Sequence, residues 1–400
     1  MSTGFPPLLS RRAAGVFLAA ALMGGCGGGV DSGGTGAPTS SFASGPITGF
    51  GSVIVAGVRF DERNAAVRDA DGNARSRDDL KLGMTVEARG SAIVTDAKGN
   101  QASTAMTIVL RSELVGAVTA SDLAARTLTV LGQTVEITNA TVFDNALVNG
   151  QASLALGDGV EVYANVDAVN GRYIATRVER RSGAGAFVLR GVVSNLDPAT
   201  RSFSIGPTRV SYAGLSTAAL PATFANGALL RVALAVLPGA GGIRVALGID
   251  SQAAVPDDRD EAKLEGLVSA FLSSSAFSVD GRPVDARAAE FPDGTSGLGL
   301  GARVKAEGTI TAGVLVASKV RVTNRGQDGD RDFEVSGSIA SLDSAGKTFV
   351  VRNVVVSYAG TVDFRDGSAG DLAVGREVEV RGRLSADGTR LLATRIKFER

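Results

Sequence analysis

A chain of 400 residues with no histidine excludes Ser-His-Asp and Cys-His catalysis and any histidine metal site, and its single cysteine excludes an internal disulfide. Lys plus Arg equals Asp plus Glu at 41 each, so no net field gathers nucleic acid or an acidic membrane surface. The length exceeds one all-β core, while 52 glycines, absent tryptophan and short Val/Ile/Thr runs predict many strands and turns in several domains.

Residues 1–25 read as a signal peptide. Arg11 and Arg12 supply a positive start, and Ala13 to Met23 is an apolar run too short for the roughly 20 residues that a membrane-spanning helix needs. Leu22-Met23-Gly24-Gly25-Cys26 then resembles a bacterial lipobox, with Met23 where Leu is usual. The resemblance implies that Cys26 is lipidated and becomes the mature N-terminus, which attaches the chain to a membrane. Gly27 stands where an inner-membrane retention signal would need Asp, which implies an outer-membrane lipoprotein facing the periplasm or the surface. Without the two arginines of the signal, the remaining chain holds 39 basic against 41 acidic residues. Residues 26–44 are rich in Gly and Ser without periodicity and read as a flexible tether.

Beyond the tether the sequence repeats. The pattern Gly-x-(Val/Ile)-(Ser/Thr/Ala) begins at Gly45, Gly116, Gly191, Gly266 and Gly337, spaced 71, 75, 75 and 71. A second glycine, before a late strand, recurs at Gly83, Gly157, Gly227, Gly301 and Gly375, spaced 74, 70, 74 and 74. The expected copies are 45–112, 113–186, 187–255, 263–323 and 333–400, with acidic linkers at 256–262 and 324–332.

Each copy predicts five strands. In the last they are 333–342, 347–351, 354–358, 377–384 and 390–398, with period-2 alternation in Val378-Glu379-Val380-Arg381 and a hairpin turn at Asp387-Gly388. Asp71-Gly72 and Asp280-Gly281 are turns of the same kind, and short helical turns are expected near 215–220 and 286–290. Leu128, Phe203, Phe277 and Phe349 follow their first glycines at a nearly constant offset, with Val53 as the counterpart in the first copy. A large apolar side chain fixed at one place in every copy predicts a core plug. Units this small have marginal cores, so neighbours are expected to pack end to end. Glu87, Glu161 and Glu379 alternate with apolar residues and read as solvated faces.

The Gly-x-Val/Ile start, the Phe/Val hairpin, Val378-Glu379-Val380-Arg381-Gly382 and the ending Leu392-Ala393-Thr394-Arg395-Ile396 together resemble the repeat of domain-of-unknown-function family 5666, found in bacterial envelope proteins. Tyr173-Ile174-Ala175-Thr176-Arg177-Val178 repeats the ending in the second copy, whereas 242–251 in the third lacks it. The resemblance covers most of the chain beyond the tether. It implies small OB-like β-barrels, hence an all-β fold of five tandem barrels, and brings no established activity.

The chemistry is sparse. No phosphate-cradling GxxxxGK loop is present, and Gly297-Leu298-Gly299-Leu300-Gly301 lacks the strand-to-helix setting of a nucleotide site. Asp328, Asp330 and Asp332 have the alternate-oxygen spacing that suits Ca²⁺ but lack the distal bidentate Glu, so a solvated linker is the favoured reading. Tyr212 and Tyr358 occupy one place, Ser-Tyr-Ala-Gly, after the third strand. They are structural tyrosines or stacking platforms for a glycan. The expectation is a non-enzymatic envelope spacer or interaction module without a required cofactor. Its partners would be an envelope glycan or another envelope protein, and nucleic acid is excluded on charge and compartment. A binder of glycan or peptidoglycan fragments is the alternative, and a carboxylate-based glycan hydrolase a distant third.

Overall fold

A computed structural model describes residues 40–167, 171–183, 185–251, 258–323 and 331–399. The only helical elements among them are single 3-10 turns, including one at Thr217–Ala219 inside the first expected helical stretch; 286–290 forms none. Short alternating runs punctuated by glycine cannot sustain a helix and close instead into small five-stranded barrels.

The second copy shows the circuit. Its strands are Leu114–Asp122, Thr127–Val130, Gln133–Phe143, Gly159–Asp167 and Arg172–Arg180. The first pairs antiparallel with the second, and the second with the third. The third runs parallel to the fifth; the fifth returns antiparallel to the fourth and the fourth to the first, which closes the ring. The same circuit joins Phe333–Asp343, Thr348–Val351, Val354–Ser357, Glu377–Leu384 and Leu391–Phe398, close to the sequence-based bounds. It recurs in the stretches of the first, third and fourth copies. A closed ring leaves no unpaired strand edge exposed to other chains. A register shift interrupts the fourth–fifth pairing in every copy, with Gly90, Gly308 and Gly382 at three of them, and such a bulge bends a strand around a tight barrel.

The two glycine rulers are two halves of one clamp. Gly83, Gly157, Gly227, Gly301 and Gly375 all have φ between 78° and 91°, a left-handed backbone that glycine adopts without steric cost. Each donates its N–H to the carbonyl of the Val or Ile that lies second after the first glycine: Ile47, Val118, Val193, Val268 and Ile339, at 2.8 to 2.9 Å. That Val or Ile donates back to the residue after the clamp glycine, as Val118 does to the Asp158 carbonyl at 2.9 Å. Inside, Val53, Leu128, Phe203, Phe277 and Phe349 are all buried at 5 % exposure or less, as core plugs must be.

The barrels are not threaded end to end. Copies two and three, adjacent in sequence, pair first strand to first strand antiparallel, Leu114 opposite Leu189, and share one core. Copy one joins distant partners. Ser41–Ser44 run parallel to Glu261–Leu264 of copy four, and Gly49 and Phe50 run parallel to Glu334 and Val335 of copy five. Copies one and five share a second core, while copy four keeps a third, which Phe42 of copy one enters fully buried.

Two expected boundaries therefore move. The tether does not reach residue 44, because Ser40–Phe50 is a strand whose Ser41, Phe42 and Ala43 are buried at the joint. The linker 256–262 likewise ends earlier, because the first strand of copy four starts at Arg259. There Asp260 accepts from the Ser40 amide at 3.2 Å and Glu261 from the Ile93 amide at 2.5 Å, so these acids bind copies together.

Candidate functional site

The joints between barrels hold the densest chemistry. A charged side chain on the outer face of a lone barrel is solvated; when barrels pack, the same side chain is trapped. Glu87 is such a case, and the solvated reading of it is overturned: it is 5 % exposed, held by Arg111 at 2.9 Å and by Arg282 of copy four. Glu161 and Glu379 keep partial exposure. Next to Glu87, Glu113 pairs with Arg190 at 2.7 Å, and Arg190 also donates to the Asp280 carbonyl at 3.4 Å. Copies one to four thus meet in one polar seam. Burial pushes the Glu87 carboxyl up, but the charges of Arg282 and Arg111 outweigh it and hold it below the ordinary range. At Asp280 the balance goes the other way. Burial raises its carboxyl to about 7, with the Glu113 charge adding to the rise against the opposing charge of Arg190. A second trapped acid, Glu265, is 4 % exposed between Lys305 at 3.2 Å and Arg331 at 2.8 Å.

Three hollows open beside the joints. One of about 570 Å³ lies between copies one and five, with Asp61, Arg63, Arg77, Lys81 and Arg352 on its walls. Another of about 530 Å³ separates the same copies elsewhere, edged by Arg59, Glu334 and Arg381; Arg59 pairs with Glu334 at 2.5 Å and Arg381 with Glu334 at 3.1 Å. The third, about 240 Å³, lies where copies one, two and five meet, and its walls are the most apolar of the three.

The residues singled out in the sequence are not brought together. Cys26, Asp328 and Asp330 lie outside the described residues. Asp332 is exposed and pairs with Arg383 at 3.2 Å, so its described contact is an arginine. Among the described residues no three Asp, Glu or Cys side chains converge as metal ligands would. Tyr212 belongs to the core. At 5 % exposure it packs edge-on to Phe224, ring centroids 5.1 Å apart, and 6.0 Å from Phe203, with the Arg201 guanidinium 5.1 Å from its ring. A stacking platform needs a free ring face, so the surface reading of Tyr212 is corrected. Tyr358 is half-buried 5.9 Å from Phe349 and packs on the other shared core.

Sequence reasoning missed the trapped acids, since alternation is identical on a wet face and on one covered by a neighbour. One signal was available for the hollows. The turn between the second and third strands is Ala56-Gly57, Leu131-Gly132 and Asp280-Gly281 in copies one, two and four, and Arg352-Asn353 in copy five, all in the left-handed region.

Residues 115–179, 265–321 and 336–397 match the model of a family described as a domain of unknown function (DUF5666). The segments fall on copies two, four and five. No curated protein matches the chain.

Proposed function

We propose that this chain, three segments of which match the DUF5666 model, is a non-enzymatic, lipid-anchored envelope protein whose barrels act together as a spacer and interaction module. The observation that carries this reading is the joining of distant copies backbone to backbone, Ser41–Ser44 with Glu261–Leu264 and Phe50 with Val335. Barrels so joined move as one body that holds several faces in fixed relation, which suits a spacer or docking platform. The one-two-three-five-four-one circuit supports an OB-like assignment, a barrel type whose strand faces and loops serve as binding surfaces. Two of the most buried carboxylates of the joints are committed to arginines, Glu87 to Arg111 and Glu113 to Arg190, and general acid–base work needs such groups free to meet a substrate.

On this reading Cys26 bears the lipid, Gly27 sends the protein to the outer membrane, and the partners are envelope glycan or another envelope protein. Fractionation of cells making the full chain tests the anchor. The protein should sediment with outer membranes, and Cys26→Ala should move it to the soluble fraction; unchanged sedimentation of the variant defeats the anchor. Small-angle scattering from the released variant tests the single body. A compact body of this length has a radius of gyration of about 21 Å, and a value twice that would mean independent beads.

A further inference from the structure

We propose that the hollow of about 240 Å³ between copies one, two and five is a binding site for a small anionic amphiphile, a carboxylate on a short aliphatic chain. Three hydrogen bonds between copies build it. Arg177 of copy two donates to the Leu82 carbonyl of copy one at 3.1 Å, the Phe143 amide of copy two to the Gly388 carbonyl of copy five at 3.0 Å, and the Asn145 side chain to the Asn353 carbonyl at 2.8 Å. Gly388 can come this close only because it lacks a side chain: a Cβ there would sit 2.2 Å from the Thr141 carbonyl.

The floor is apolar, made by Phe50, Leu82, Val142, Phe143 and Leu391, all buried. The walls carry Lys81, Arg177, Arg352 and Arg390 against Asp144 and Glu179. Arg177 is itself 6 % exposed and paired with Glu179 at 2.8 Å, and the rim above it carries Lys81, Arg390 and Arg352, the last of which is also ion-paired with Glu62. An apolar floor below a cationic mouth selects a ligand with an apolar body and a negative head. The volume is below the usual range of about 300–1,000 Å³ for drug-sized ligands, which limits the body to one short chain.

The turn chemistry points the same way from a different direction. Arg352 and Asn353 have φ of 46° and 62° where three other copies place glycine second. The first slot of this turn is left-handed whatever residue it holds, Ala56, Leu131 or Asp280; in copy five it carries a guanidinium to the mouth, and Asn353, a residue that tolerates the left-handed region, stands in the glycine's place. Arg352 is exposed, donates to the Ser336 carbonyl at 3.1 Å and stands 3.6 Å from Glu62, which keeps its head at the surface.

Titration calorimetry of the full chain with decanoate tests the site, with decanol and decyltrimethylammonium as uncharged and cationic comparisons. One saturable site for decanoate is expected, at least about tenfold tighter than either comparison, since a charge-assisted contact is worth about 1.5–3 kcal/mol. Arg352→Gln with Arg390→Gln, both exposed side chains, should weaken decanoate by about tenfold without changing the melting transition. Val355→Trp, which fills the hollow from a half-buried position, should abolish binding. No saturable binding, equal affinity for decanol, or wild-type affinity in both variants each overturns the proposal. None of these outcomes bears on the anchor or the single-body reading, which have their own tests.

Discussion

Copies two and three differ from the group of one, four and five in how they were brought together. The pair is joined by first strands of copies that follow one another in sequence and pools its plugs in one core, with Leu128 and Phe203 in the same cluster. The group is joined by parallel pairing between copies far apart along the chain, Ser41 with Glu261 and Phe50 with Val335, and copy four keeps its own core apart from one inserted ring, Phe42. Closing a longer loop costs only modestly more entropy, about 0.6 kcal/mol per doubling, so stability does not forbid the long-range joint. Non-local pairing instead slows folding. The pair is thus expected to form early and the group to depend on a few side chains that cross between copies.

Phe42 is the largest of these, and it is the sharpest way to break the comparison. Phe42→Ala should cost about 3–5 kcal/mol and loosen copy four, whereas Leu189→Ala should cost about 2–5 kcal/mol and loosen copies two and three together. Denaturant unfolding with hydrogen exchange resolved by segment checks this. Loss of protection spread evenly over both regions in Phe42→Ala would show that the chain does not divide as described.

The clamp glycines give a smaller and cleaner contrast, because one slot meets two surroundings. A Cβ at Gly83 would lie 2.3 Å from the Thr176 carbonyl and 2.9 Å from Val142 of copy two, whereas one at Gly157 meets nothing within 4 Å. Gly157→Ala should therefore cost only the left-handed backbone, about 1–2 kcal/mol. Gly83→Ala should cost clearly more and strain the contact between group and pair. Equal melting temperatures for the two variants would remove Gly83 from the joint.

The pattern of a single barrel was legible because its signals are local. The plug positions, the glycine before the fourth strand and the Asp387-Gly388 turn each follow from side-chain volume or left-handed backbone, and each appears where expected. The assembly was not legible, for one physical reason. A sequence with period two marks one face as apolar and leaves the other polar, and that polar face reads alike in water and against a neighbour. Glu87, Asp260 and Glu261 looked like solvated acids and are inter-copy contacts; Ser41-Phe42-Ala43 looked like the end of a Gly/Ser tether and is a buried strand. Tyr212 was ambiguous for the same reason, since a repeated aromatic is as consistent with a core as with a platform. The hollow between copies one, two and five had one trace in sequence, the Arg-Asn that replaces x-Gly in a turn, and that trace has meaning only once the other turns are aligned in space.

The smallest expected effect lies at the seam where pair and group touch. Asp280 of copy four faces Arg190 and Glu113 of the pair, with Arg303 also acting on it, and its carboxyl is raised to about 7 from an ordinary 3.8. A carboxyl raised on folding binds its proton more tightly in the folded state. Its penalty is therefore absent below about pH 3.8, grows as pH rises, and is complete above about 7, with a slope no steeper than about 1.4 kcal/mol per pH unit. Glu87 and Glu265 act in the opposite sense: both are held below 4.5, so the stability they contribute is lost only as pH falls under that value. Glu179, also raised by burial, adds to the Asp280 slope and persists when Asp280 is replaced. Asp280→Asn keeps a side chain that tolerates the φ of 46° at this turn and should flatten the decline between pH 4 and 7 while leaving the acid limb unchanged. Unfolding free energies measured across that range decide it: an unaltered slope would mean that water reaches Asp280 and that the seam between pair and group is open.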